Sequence, residues 1–278
     1  MNWLHAHAWI AAPTTAGLTL AMLWINRRAL PVLPFDAPNF GRKQHGTRTP
    51  LAGIAMLPTI VVYLLANDRP AVATVVLALG ATGFVDDWHK EGRRELDWRI
   101  KALALGAGSI ALAWQHASPV SDSLAFCAAA GLAFVLINAT NFLDNQNGAL
   151  AAIAASCLLL AGGSHGPFAA AAFAALGFLP CNWPKAKCFA GDAGAYALGA
   201  CIAAQLLERP LSVDAIAPFA VPLFDFTQVV LVRLALGYKP WVGDRRHVTH
   251  WMLALGAPRF LVAPLLALAA VAVVWVTR

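Results

Sequence analysis

Three carboxylates in this chain stand where a charge is costly. Asp86 and Asp87 lie side by side at the end of an apolar stretch, in FVDDWHKEGRRELDWRIK, and Asp192 lies between Gly191 and Gly194 in FAGDAGAYALG, just before another. Adjacent carboxylates repel, so holding two at a hydrocarbon edge calls for a bound cation, partner bases or a raised proton affinity. Asp192 reads most simply as a helix N-cap; as a metal carboxylate, its flanking glycines would let the backbone approach a phosphate closely. A third stretch, NATNFLDNQNGAL, gathers Asn138, Asn141, Asp144, Asn145, Gln146 and Asn147. Continued as a helix, it places Asn138, Asn141, Asp144 and Asn145 within an arc of about 120°. Amides orient phosphates or sugar hydroxyls without adding charge, and a carboxylate ligates a hard cation. The plain alternative is a helix end whose amides cap backbone carbonyls.

Two further segments carry cations. KPWVGDRRHVTHWML supplies Asp244, Arg245, Arg246, His247 and His250. The two histidines are neighbours if helical; with no further ligands nearby, zinc is the weaker reading and phosphate handling the better one. DAPNFGRKQHGTRTPLAG sets Arg42, Lys43, His45 and Arg48 among turn-forming residues that fix a loop shape. Lys90, Arg93 and Arg94 read as a solvated basic loop facing anionic lipid. His5, His7, His89, His116 and His165 have no such context. Together these residues describe one hard-cation site with two or three carboxylates, flanked by anion-holding bases. That set suits phosphoryl transfer involving a diphosphate, because a divalent cation and Arg or Lys neutralise charge on the transferred group.

The elements that must position this chemistry are apolar. Of 278 residues, 59% are hydrophobic and 12% charged, with a mean hydropathy of +0.63. Soluble domains carry about 25% charged residues. The chain therefore reads as one polytopic membrane domain over residues 1–278, an all-α bundle of about ten transmembrane helices. The expected spans run near Ala8–Ile25, Leu51–Ala66, Ala71–Val85, Ile100–Trp114, Leu124–Ile137, Ala149–Ala161, Pro167–Leu179, Ala195–Leu207, Ile216–Leu236 and Leu261–Val276. With no basic n-region and no small-residue cleavage site, the first is expected to be a retained helix. Cys127, Cys157, Cys181, Cys188 and Cys201 show no CxxC spacing and read as small core residues.

Seventeen of the twenty Lys and Arg residues fall on loops of one parity; the other side keeps Arg69, Arg209 and Arg278. The positive-inside rule makes the richer side cytoplasmic and places both termini outside. The same parity puts Asp86, Asp87, Asp144, Asp192, His247 and His250 on the cytoplasmic face.

These motifs, in this order from Asp36 to about Leu255, resemble the polyprenyl-phosphate N-acetylhexosamine-1-phosphate transferases. A DxPN-x-RK-x-H pattern followed by Pro and Gly is matched by Asp36, Pro38, Asn39, Arg42, Lys43, His45, Pro50 and Gly53, with one extra residue before Arg42. The paired aspartates are Asp86 and Asp87, with a downstream lysine at Lys101. NAxNxxDGxDGLA is echoed by Asn138, Asn141, Asp144 and Gly148, F-x-GD-x-G by Phe189, Gly191, Asp192 and Gly194, P-x-FD by Pro222, Phe224 and Asp225, and H-x-HH by His247 and His250.

The resemblance implies transfer of a sugar-1-phosphate from a UDP-sugar to undecaprenyl phosphate in a bacterial inner membrane, releasing UMP, with Mg²⁺ as cofactor and Mn²⁺ as a substitute. On that implication Asp192 ligates the metal, and Asp86 acts either as base or as covalent nucleophile. Asp87, Asn138 and Asp144 shape the metal and diphosphate site, and His247 and Arg246 lie near the donor phosphates. Arg42, Lys43, His45, Lys101, Asn141 and His250 complete the substrate-binding set. The implied partners are the donor, the lipid acceptor and the bilayer, with a homodimer as a further candidate and no nucleic acid. Two rival readings stand beside it: a catalytically silent relative that binds or moves lipid-linked sugars, and a phospho-MurNAc-pentapeptide translocase. Three positions depart from the pattern: Asn145 stands for a glycine, Asn147 for an aspartate and Thr249 for a histidine.

Overall fold

A computed structural model describes residues 7–28, 30, 32–36, 49–91 and 96–277. Among those residues, eleven helices of seven or more residues carry the fold. They are α1 (Ala11–Arg28), α2 (Leu57–Ala66), α3 (Pro70–Glu91), α4 (Trp98–Ala113), α5 (Ser123–Phe142), α6 (Ala149–Gly162), α7 (Ala169–Asn182), α8 (Gly191–Leu207), α9 (Ala220–Ala235), α10 (Val248–Ala254) and α11 (Arg259–Thr277). A single turn, Val213–Ile216, and a 3-10 turn, Ala217–Phe219, lead into α9.

Every expected apolar segment is helical, and five helical stretches among the described residues are long and apolar enough to cross a membrane: Ala8–Arg28, Pro70–Lys90, Ser123–Phe142, Val213–Ala235 and Arg259–Thr277. Others are shorter, such as Ala149–Gly162 and Ala169–Asn182. The chain is a multi-pass membrane protein, and exposed Leu77, Leu268, Val271 and Trp275 suit helix faces turned to lipid.

The centre of the bundle is α8. All of its residues from Gly191 to Leu207 are buried, as expected of a helix apolar all round. It packs on α3, α5 and α6. Its Ala- and Gly-rich composition lets neighbouring backbones come close. Gly83 of α3 lies directly on the Asp192 backbone, and a Cβ there would collide with the Asp192 carbonyl. That contact sets the end of α3 against the start of α8.

Two departures from the sequence expectations are local. The fold is not purely helical, because β1 (Phe35–Asp36) pairs antiparallel with β2 (Thr49–Pro50). Beyond β2, Ala52 N and Gly53 N donate to the carbonyls of Phe189 and Ala190, and Phe189 N donates to that of Pro50. Irregular backbone inside a bundle must satisfy its polar groups internally, and here it does so by pairing with the segment that leads into α8. Four cysteines are buried as expected, but Cys127 is exposed on α5.

Candidate active site

The helix α3 does not stop at Val85 but runs on to Glu91, so Asp86, Asp87 and Lys90 lie on its last turns. Asp86 Oδ2 accepts from Lys90 Nζ at 2.7 Å and from Lys101 Nζ, on the first turn of α4, at 3.3 Å. Its Oδ1 accepts from the Leu96 amide at 3.1 Å. Lys90 Nζ also donates to Asp192 Oδ2 at 2.8 Å, where the Tyr196 hydroxyl donates too, at 3.2 Å. One ammonium thus joins two carboxylates that are distant in sequence. Lys90 is not a solvated loop residue: it stands one helical turn after Asp86, on the same face. Tyr196 follows Asp192 by the same spacing. Both signals were in the sequence.

Asp87 faces the other way and is buried. Its Oδ1 accepts from Asp192 N at 3.0 Å and its Oδ2 from Ala193 N at 3.2 Å. Asp144 Oδ2 accepts from Gly191 N at 2.6 Å. The first amides of α8 have no partners within the helix, and here two carboxylates from other segments cap them, which the helix dipole favours. Asp192 is therefore not the cap. The capping has been handed to Asp87 and Asp144, and the Asp192 side chain is turned toward Lys90. Gly191 permits this geometry: its φ is +65°, and a Cβ would lie 2.5 Å from Asp87 Oδ2.

The amide-rich stretch divides into two. The helix α5 ends at Phe142, so Asn138 and Asn141 lie on the helix and Asp144 to Asn147 on the turn that follows. Asn138 Nδ2 donates to Phe134 O, Asn145 Nδ2 to Phe142 O and Asn147 Nδ2 to Pro184 O. Three amide nitrogens therefore cap carbonyls, while Asp144 holds α8. Gln146 Nε2 is buried with no hydrogen-bond partner among the described residues.

The second cluster lies around the start of α10. His247 Nδ1 is 2.8 Å from Asp225 Oδ2, and Asp225 Oδ1 accepts from the Val248 amide at 2.7 Å. A carboxylate at Nδ1 fixes the orientation of the ring. The motif residue Asp225 thus touches both the ring of His247 and the backbone beside it. The His247 and His250 rings lie 5.7 Å apart, and Phe142 packs edge-on against His247 at 5.3 Å. Burial, then His247 and Arg245, push the His250 imidazole down to about 4, so it is neutral near pH 7.

Buried Arg233 holds the loop below this cluster through Asp244, at 3.0 Å and 3.3 Å. Arg246 pairs with the same carboxylate at 2.6 Å and lies over Tyr238. Burial opposes the charge on Asp244, but the hydrogen bonds from Arg233 and Arg246 outweigh it and hold its carboxyl at about 2. Arg246 is thus partly committed within the protein.

The structure brings Asp86, Asp87, Lys101, Asp144 and Asp192 into one connected cluster, and His247, His250 and Arg246 into a second. The turn after α5 joins them, because Thr249 Oγ1 donates to Asn145 Oδ1 at 2.6 Å. Arg42, Lys43 and His45 lie outside the described residues. No group of three or more His, Cys, Asp or Glu side chains among the described residues forms a metal cage.

The sequence pattern of glycosyl transferase family 4 matches residues 70–209, half of the chain, and those residues carry the carboxylate cluster. The chain belongs to that family. A phospho-N-acetylmuramoyl-pentapeptide-transferase of Nostoc sp. is 30% identical over 236 residues, covering 73% of this chain and 63% of that protein. An undecaprenyl-phosphate alpha-N-acetylglucosaminyl 1-phosphate transferase of Thermotoga maritima is 27% identical, covering 77% of this chain and 71% of its own. A decaprenyl-phosphate N-acetylglucosaminephosphotransferase of Mycobacterium tuberculosis is 28% identical, covering 77% and 68%. The chain spans less than two thirds of the length of the Nostoc relative.

Proposed function

We propose that this family 4 member transfers an N-acetylhexosamine-1-phosphate from a UDP-sugar to undecaprenyl phosphate, releasing UMP. The observation that carries the reading is the meeting of Asp86 and Asp192 at one lysine, at the N-terminal end of a wholly buried helix. In the reaction an oxygen of the lipid phosphate attacks the phosphorus that bears the sugar. The diphosphate P–O bond breaks, and UMP leaves with the bonding electrons. Asp86 accepts a proton from, or positions, the attacking phosphate, while Lys90 and Lys101 offset the negative charge of the two substrates. Gln146 Nε2, buried without a hydrogen-bond partner among the described residues, is a further donor for a substrate oxygen.

The donor set also fits Mg²⁺, or Mn²⁺ in its place. The Lys90 ammonium stands between two carboxylates as a divalent cation would. Mg²⁺ is commonly held by one or two carboxylates together with substrate phosphates rather than by an all-protein cage. Asp192 and Asp86 are the residues that would hold it. Bound there, it would neutralise charge on the diphosphate as a Lewis acid.

We place the site on the cytoplasmic face of a bacterial inner membrane, with the shorter helices completing about ten crossings and both termini outside; the seventeen-to-three Lys and Arg asymmetry supports this. A homodimer belongs to the same proposal. The connection from α9 to α10, pinned by Arg233 and Asp244, is short, which favours a small UDP-N-acetylhexosamine over a peptide-bearing donor. The test is UMP release by the purified protein with undecaprenyl phosphate, Mg²⁺ and a panel of UDP-sugars. Turnover of at least one UDP-N-acetylhexosamine is expected. No turnover across the panel would leave a silent lipid-sugar binder as the better reading, and turnover of only UDP-MurNAc-pentapeptide would make the protein a translocase.

A further inference from the structure

Two of the three positions at which the chain departs from the family pattern, Asn145 and Thr249, are more than a hundred residues apart and hydrogen-bonded to each other. The chain of bonds through them has a fixed direction. Phe142 O can only accept, so the nitrogen of the Asn145 amide faces it, at 2.5 Å. The Asn145 oxygen is therefore the atom turned toward Thr249, and an oxygen there can only accept. Thr249 is buried and has one proton, which it donates to Asn145 at 2.6 Å. What remains on the Thr249 oxygen is lone pairs, and these face His250 Nδ1 at 3.4 Å. An unprotonated Nδ1 would set lone pair against lone pair, whereas a protonated Nδ1 donates. A neutral imidazole carries one proton, so its Nε2 is then bare.

We propose that Asn145 and Thr249 are positioning residues that lock His250 in its Nδ1–H form and present its Nε2 as a hydrogen-bond acceptor to an N–H or O–H group of the nucleotide-sugar. The donor contact rests on the transferase reading above; the locked ring does not. The charged and titratable groups around His250 are His247, Arg245, Asp225 and Asp244; burial, His247 and Arg245 disfavour the charged ring and outweigh the two carboxylates, which favour it. A neutral ring with a bare nitrogen disfavours a phosphate oxygen, so His250 is not the anion holder that its neighbouring arginines suggested. At His247 the Nδ1 side is taken by a carboxylate, Asp225, instead of a hydroxyl.

The test is ¹⁵N NMR of the full chain labelled at histidine, with the His250 signals assigned through His250→Gln. Near pH 7 the wild type is expected to show a protonated Nδ1 and an unprotonated Nε2. Thr249→Ser keeps that pattern, while Thr249→Val and Asn145→Ala lose it. In parallel, Thr249→Val is expected to raise the KM for the UDP-sugar about tenfold with kcat within about twofold, as for loss of a ground-state contact, and Thr249→Ser to restore it. A wild-type His250 protonated at Nε2, or a ring pattern unchanged in Thr249→Val, overturns the lock, and the wild-type measurement decides this even if a variant does not fold. A locked ring with an unchanged KM overturns the donor contact. A locked ring in a protein that turns over no UDP-sugar sustains the lock and removes the transferase reading instead.

Discussion

The carboxylate cluster and the histidine cluster solve opposite problems. Between α3 and α8, negative groups are crowded together, and stability comes from supplying them with partners: Lys90 joins Asp86 to Asp192, and Asp87 and Asp144 take the first amides of α8. Around α10 order comes from fixing how each ring is turned and partnered, through Asp225 on His247 and the Asn145–Thr249 pair beside His250. The first cluster is built for charge and the second for direction. Adjacent residues thereby acquire different tasks: Asp86 points at the lysines, while Asp87 caps a helix.

That contrast breaks most sharply at Asp192. Its side chain caps nothing, so Asp192→Ala should lower UMP release by about 10³-fold, the scale of losing a group that stabilises developing charge, with the thermal unfolding midpoint close to wild type. Asp87→Ala should do the reverse in kind. Leaving two α8 amides uncapped costs about 1–2 kcal/mol, read as a lower unfolding midpoint, with any activity loss following the loss of folded protein.

Lys90→Met comes next. Removing the shared partner leaves Asp86 and Asp192 facing each other, and breaking a largely buried ion pair costs about 3 kcal/mol. Thermal unfolding in detergent should show this, and an unshifted midpoint would mean that the lysine is dispensable to the cluster. On the histidine side, Asp225→Asn removes the negative charge at His247 Nδ1 and weakens Nε2 as a base. A fall in kcat of about 10²-fold is expected, together with a displaced acid limb in the pH–rate profile. A profile that keeps its shape would show that His247 does not exchange a proton during turnover.

The smallest effect lies at the periphery. The Asp244 carboxyl is held at about 2, below its ordinary 3.8. A depressed carboxylate contributes stability that is fully present above the ordinary value and is lost as pH falls toward 2. Asp244→Asn should lower stability at neutral pH, where that contribution is fully present, and flatten the fall in stability as pH drops from the ordinary 3.8 toward 2.

Much of this was legible in the sequence. Apolar stretches located the helices, and the motif residues from Asp86 to His250 do converge at one end of the bundle. What was not legible were the partners of side chains. Asp192 next to glycines looks like a cap, and only the packing of Gly83 on its backbone shows that Asp87, from another helix, holds that place. Asn138, Asn141, Asp144 and Asn145 were expected on one helical face, but α5 ends at Phe142, and Asn138, Asp144 and Asn145 each meet a different partner. Lys90 could have been found, since its spacing from Asp86 is one helical turn. The Asn145–Thr249 bond could not: two departures far apart in the chain signal nothing until the fold brings them together.

The most direct measurement is transfer of labelled sugar-1-phosphate from UDP-N-acetylglucosamine, and then from the other UDP-N-acetylhexosamines, to undecaprenyl phosphate with Mg²⁺, comparing wild type with Asp192→Ala in the same detergent and at matched folded fraction. The expected result is lipid-linked label with equimolar UMP for at least one donor, lost in Asp192→Ala and sustained per folded molecule in Asp87→Ala. Equal transfer by wild type and Asp192→Ala, or no transfer from any of these donors, would contradict the assignment of the carboxylate cluster as the reaction centre.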